Sequence, residues 1–186
     1  YIPEGIYKEL RSAMDSRWRI VKELSAVRNR ISRWICIYYP EFTKVFEDWE
    51  GKAALLILKE CPTPKKVVEK GIEGIIAIWK KHKIRAVGIK RAVRLLESAK
   101  TSIGTSEGLV SAENELSMLL EDYGSKMRQL ERTMALIEEL AMQIPGFEKM
   151  LEIKGVGLVV AAGFLAEVGD IFRFSHPKQI QKLSGL

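Results

Sequence analysis

Residues 109–144 read LVSAENELSMLLEDYGSKMRQLERTMALIEELAMQI. Leu109, Leu116, Tyr123, Leu130, Ile137 and Ile144 recur every seven residues, and Glu113, Leu120, Met127, Met134 and Ala141 fill the second position of the same repeat. Ten of these eleven are apolar or aromatic, and Glu113 is the misfit. Apolar side chains spaced alternately by three and four lie along one face of a helix. A stripe kept over about five heptads is a coiled-coil seam. At about 1.5 Å per residue the helix would be roughly 54 Å long. Gly124 is a weak point inside it, costing about 1 kcal/mol relative to Ala, and Pro145 with Gly146 closes it.

A second seam precedes it. Ile6, Leu10, Ala13, Arg17, Ile20, Leu24, Val27, Ile31, Trp34 and Tyr38 alternate by four and three, broken only by Arg17 and ended by Pro40. The spacing predicts a helix over 5–39. Its partner is either the 109–144 helix, in an antiparallel hairpin bridged by 41–108, or a second chain. The heptads alone leave both open. Between them, 41–61 reads as a short amphipathic helix, a glycine and a second apolar helix. Thr63 before Pro64 is a helix cap. Residues 65–100 form two or three short helices punctuated by Gly71, Gly74 and Gly88, and TSIGTSEG at 101–108 is a loop. No convincing strand is present. The expected fold is all-α, with long antiparallel coiled-coil helices over 1–144, a basic helical insert and loop at 62–108, and a separate C-terminal region at 145–186.

The net charge is +6, unevenly spread: +4 over 1–40, −2 over 41–61, +8 over 62–100, −5 over 101–150 and +1 over 151–186. A polyanion would therefore sit on the first and third segments. Nothing acidic interrupts KKHKIRAVGIKRAVRLL at 80–96. Lys80, Lys81, Lys83 and Arg85 lead into Val87-Gly88-Ile89, and Lys90, Arg91 and Arg94 follow on a helix. The charge marks this stretch as a backbone-binding patch, against the alternative of a solvated face. Arg11, Arg19, Lys22, Arg28, Arg30 and Arg33 form an outer face on the first helix, open to the same two readings. Trp79 either stacks on a base or belongs to the core.

Residues 151–168, LEIKGVGLVVAAGFLAEV, have the pattern of a helix-hairpin-helix. Gly155 and Gly157 let the chain turn sharply, Val156 plugs the turn into the core, and a helix starts near Gly157. Its first backbone N–H groups are free and lie at the positive end of the helix dipole. They can hold a phosphate without reading a base. Lys154 adds charge, and Glu152 subtracts some. The alternative is a tight turn with no ligand. In the tail, Gly169 stops a helix, Ile171, Phe172 and Phe174 cover its end, and Ser175 with Pro177 starts another.

No catalytic set stands out. Asp170 and Glu167 lack a third carboxylate, Ser184 lacks a base, and Cys36 and Cys61 with His82 and His176 have no metal or redox spacing. No apolar run approaches the roughly 20 residues a membrane span needs, and a cytoplasmic location is expected. Tyr1 and Leu186 read as cut ends.

The stretch IKGVGLVVAAGFLAEVGDIFRFSHPKQIQKLSGL at 153–186 resembles the start of the C-terminal domain of the insertion sequence 110 family transposases, also called the 116/110/902 transposases. Residues 38–64, YYPEFTKVFEDWEGKAALLILKECPTP, and 85–104, RAVGIKRAVRLLESAKTSIG, are similar to that family's middle region. The resemblance implies a recombinase acting on the ends of its element, in some members with a guide RNA. It also implies an N-terminal nuclease-like domain whose carboxylates bind a divalent metal (Mg), before Tyr1, and a serine just after Leu186. This chain would then bind DNA without catalysis and without a cofactor of its own, and would oligomerise through the coiled coil. A protein-interaction module whose hairpin is only a turn is the alternative.

Overall fold

Helix-compatible spacing accounts for every element. The structure, a computed structural model, describes residues 4–85 and 88–183; Val87 and Ser184 lie outside them. The elements are α1 (Ile6–Tyr38), α2 (Phe42–Val45), α3 (Lys52–Glu60), α4 (Pro64–Lys81), α5 (Ile89–Lys100), α6 (Leu109–Met142), α7 (Phe147–Leu151), α8 (Leu158–Val168), a 3-10 turn (Ile171–Arg173) and α9 (Pro177–Leu183). Among the described residues there is no strand, and the fold is all-α. The chain divides into two compact units, Tyr1–Leu24 with Ser125–Leu186, and Ser25–Gly124.

In the first unit, the start of α1 and the end of α6 run antiparallel. Leu10 and Ala13 share a core with Ile137, Ala141 and Ile144, closed by Phe147 and by Ala161, Ala162, Leu165 and Ala166 of α8. The face that α8 gives to this core is made mostly of small side chains. Arg17, the seam misfit, turns its Nε to the Met134 sulfur at 3.3 Å. Lys126 pairs with Glu23, and Arg11 with the exposed Glu167. A fully buried Leu or Ile contributes about 1.5–3 kcal/mol, an exposed ion pair at most about 1 kcal/mol. The seam therefore sets the pairing, and the charges follow it.

In the second unit, the end of α1 and the start of α6 are again antiparallel. The Trp34 indole donates to the Ala112 carbonyl at 2.8 Å. Glu50 gathers three donors: Arg28 Nε at 2.9 Å, Arg28 Nη2 at 2.8 Å and the Tyr123 hydroxyl at 2.7 Å. Burial and the Glu50 carboxylate together push the Tyr123 hydroxyl up to about 12. Glu113, the other misfit, accepts from Lys66 Nζ at 2.6 Å and from the Thr63 hydroxyl at 3.3 Å. It sits in the seam because it holds the start of α4, where Thr63 also caps Lys66 N–H. The heptad seam is thus occupied within the chain.

Two expectations are refined. Residues 64–81 are two helical stretches that meet at a kink at Gly71, which takes φ 65° and ψ 179°, and with α5 they make three short helices; only Gly74 does not punctuate, since it stays inside the helix. Trp79 is a core residue, 2% exposed, with its indole donating to the Ala53 carbonyl at 3.1 Å.

The 101–108 loop is seated on the end of α1. Thr105 N–H donates to the Ile37 carbonyl, and a Cβ on Gly104 would lie 2.3 Å from the Tyr38 carbonyl oxygen. The nearly buried Glu41 carboxylate accepts from the Ser102 hydroxyl at 2.5 Å and the Ile103 N–H at 3.1 Å. Burial opposes its ionisation, but these hydrogen bonds outweigh burial and hold the carboxyl below its ordinary value.

Two stability outcomes follow. Gly104→Ala should cost about 1–3 kcal/mol through overpacking against rigid backbone, read as a lower urea midpoint at unchanged slope. A midpoint equal to the parent's would show that the loop is not seated there. For Glu41 the folded pKa lies below the unfolded value near 4.5. Its contribution is therefore present above that pH and lost as pH falls through the folded value. The stability difference between the parent and Glu41→Gln should shrink on acidification below about pH 4.5 and stay constant between neutrality and that point.

Candidate nucleic-acid interface

The sequence singles out two regions, one in each unit. In the second unit, α4 ends in Lys80 and Lys81, and the chain reverses through Lys83, which adopts a left-handed φ of 56°. A non-glycine residue there carries about 1–2 kcal/mol of strain, so a lysine stands where a glycine would turn more easily. Gly88 is the N-cap of α5, with extended backbone and no side-chain cap. A Cβ there would meet nothing within 4 Å.

Lys83, Arg85, Arg91 and Arg94 line a cleft of about 780 Å³. Lys80, Lys81 and Lys90 are exposed but lie outside its lining. The opposite wall comes from 44–54, including Lys44, Phe46 and Lys52, so six Lys/Arg side chains face two carboxylates, Glu47 and Asp48. The Arg91 guanidinium lies 5.7 Å from the Phe46 ring centroid, and Arg94 Nη2 donates to the Lys44 carbonyl at 2.7 Å. Lys44, Phe46 and Lys52 were not legible as site residues, because their own segment is net acidic and only the tertiary fold brings them to α5.

In the first unit, α7 and α8 flank a turn at 152–157. Val156 N–H donates to the Ile153 carbonyl at 2.9 Å, and Val156 packs against the core. Gly155 takes φ 89° and Gly157 φ −101° with ψ 178°. The two glycines thus differ: the backbone requires one at 155, whereas any residue could adopt the conformation at 157. Val160 and Ala161 N–H groups already donate to the Gly157 carbonyl. The N–H groups of Leu158 and Val159 precede any intrahelical acceptor, α8 has no side-chain cap, and a Cβ on Gly157 would meet nothing within 4 Å. Lys154 is exposed. Glu148 and Glu152 balance Lys149 and Lys154, so the turn offers backbone donors and no net charge.

Other candidates find structural work. Asp170 caps the 3-10 turn, its carboxylate accepting from Phe172 N–H, and Glu167 pairs with Arg11. Arg11, Arg19 and Arg28 of the outer face of α1 each hold a partner within the chain. Burial pushes the Cys61 thiol up to about 11. Among the described residues, no three His, Cys, Asp or Glu side chains come together to hold a metal ion.

Residues 147–186 match the Transposase IS116/IS110/IS902 family. The transposase match covers α7, α8 and the turn between them, and continues through the tail. The stretches at 38–64 and 85–104 lie outside it. No curated protein and no solved structure matches the chain. Among the described residues no helix is long and apolar enough to cross a membrane.

The two glycines of the turn predict opposite stability outcomes. Gly155→Ala should lower stability by about 1–2 kcal/mol, because a Cβ is strained at positive φ. Gly157→Ala should leave it within about 0.5 kcal/mol. Thermal melts of the two variants check this, and equal losses would contradict the backbone geometry of the turn.

Proposed function

We propose that this chain is a nucleic-acid-binding and scaffold part of a DNA transposase that mobilises an insertion sequence. The observation that carries the reading is the pairing of a transposase match at 147–186 with a concentrated cationic surface on 80–94. Lys80, Lys81, Lys83, Arg85, Lys90, Arg91 and Arg94 supply charge to a phosphate backbone, and Gly88 opens the start of α5 to it. The helix-hairpin-helix pattern at 153–157 acts differently. Its uncharged turn holds one phosphate on the Leu158 and Val159 N–H groups, with Lys154 beside them. The cations and the N–H groups of the turn address the phosphate backbone, and such contacts carry little sequence preference. The partner is DNA, with guide RNA as a second partner of the same surface, and the chain binds without catalysing. Oligomerisation would use surfaces other than the seam, which α1 and α6 already share.

The alternative, a protein-interaction module, draws on the exposure of Ile153, Val160 and Phe164 around the same turn. Salt dependence separates the two. Fluorescence anisotropy with a DNA duplex should show affinity falling steeply between about 50 and 200 mM salt. Lys90→Gln should reduce the log–log slope by about 0.9, the value for one duplex phosphate contact. Gly157→Ala removes no charge and should weaken binding at unchanged slope. Affinity insensitive to salt would sink the nucleic-acid reading, and binding undiminished in Gly157→Ala would leave the hairpin as a turn only.

A further inference from the structure

We propose that the cleft between 44–54 on one side and 82–85 with Arg91 and Arg94 on the other seats a single unpaired nucleotide of a DNA strand. This rests on the nucleic-acid reading above and narrows it. A volume of about 780 Å³ is in the range of small-ligand sites and has room for a nucleotide; a base can enter only once it is out of the duplex stack. The lining has two chemistries. Val45, Phe46, Ala53 and Ala54 supply apolar surface, and the cations of α5 and its approach supply charge.

Arg91 and Arg94 are already placed. One lies over the Phe46 ring, the other donates to the Lys44 carbonyl, and both line the cleft. A guanidinium beside an aromatic ring also offers a base a cation and an apolar surface at one place. Glu47 and Asp48 argue against a bare anion, which their carboxylates would repel. A nucleotide resolves the conflict. Its phosphate lies on the arginines, and the amine-bearing edge of its base turns toward the carboxylates, which accept such donors. The first turn of α3, Lys52–Ala54, lines the same cleft behind Gly51, which provides no side-chain cap. Its N–H groups add donors on the cationic side.

The test is anisotropy with the full chain at one fixed salt concentration, comparing a matched duplex with the same duplex carrying a one-nucleotide bulge. The bulged duplex should bind about tenfold tighter, a fold-change that stacking one base supports. Arg91→Gln, at an exposed position, and Ala53→Leu, which fills the cleft without changing charge, should each abolish that preference. Thermal melts would confirm that both variants fold. Lys90→Gln, on the same helix but outside the cleft, should weaken both duplexes equally. A free deoxynucleoside monophosphate should fail to displace the bulged duplex. Equal binding of the two duplexes by the parent, or a preference that survives Arg91→Gln with Ala53→Leu, overturns the nucleotide cleft and leaves the proposed function standing. Displacement by the free nucleotide overturns the commitment to a strand. Failure to bind either duplex overturns the proposed function itself.

Discussion

The apolar seam carried by α1 and α6 is the constraint on which the other elements depend. In the first unit it is Leu10 and Ala13 against Ile137 and Ala141, and there it supports the α8 alanines. In the second it surrounds the Trp34–Ala112 hydrogen bond, and there it supports the insert. Both seams are long and continuous, so a polar residue inside either needs a reason. Arg17 and Glu113 each have one. Arg17 meets a polarisable sulfur, and Glu113 holds Lys66 and the capping Thr63. The second misfit is the more consequential. It ties the N-terminus of α4 to the scaffold, and α4 ends at Lys80 and Lys81, where the basic surface begins.

The two candidate surfaces differ in the physics they offer. The cleft of the second unit concentrates cations whose attraction is long in range and screened by salt. The turn of the first unit carries balanced charge and offers N–H groups at a helix start, with short-range, directional bonding. Charge draws a polyanion in without setting its register, whereas a pair of aimed donors sets register and contributes little to encounter. Lys83 adds its charge to the cleft from a backbone conformation that glycine would adopt more easily.

Much of this was legible in sequence. Heptads located α1 and α6 to within a residue or two, and Thr63 before Pro64 marked the start of α4. The Gly155–Gly157 pair marked the turn before α8. These are local signals, written in spacing or in one residue's backbone preference. What stayed hidden was long-range. Lys44 and Lys52 sit in an acidic segment and join the arginines of α5 only through the fold. Glu41, on the face of it one more surface carboxylate, is the acceptor that seats the 101–105 loop some 60 residues away. Heptads also left open whether α6 pairs within its chain or with another, since a seam looks the same either way. The antiparallel contacts within each unit decide that.

Glycine shows where pattern reading falls short of geometry. By motif, Gly88 ranks below the Gly155–Gly157 pair, because it stands alone. By backbone, Gly88 and Gly157 are the same device: extended N-caps without a side-chain cap, each opening onto empty space where a Cβ would fit. Gly155 is the different one, required by its positive φ. A glycine that the backbone does not require, at a helix start that no side chain closes, leaves room for close approach by something outside the chain. Gly51 is a third uncapped glycine N-cap, where a Cβ would touch the Asp48 carbonyl oxygen at 3.4 Å; of the two that open onto empty space, one leads directly into Lys90, Arg91 and Arg94. The motif therefore ranks these positions in the reverse order of their electrostatic strength: the two-glycine turn is the neutral one, and the single glycine opens the helix where the positive charge is concentrated.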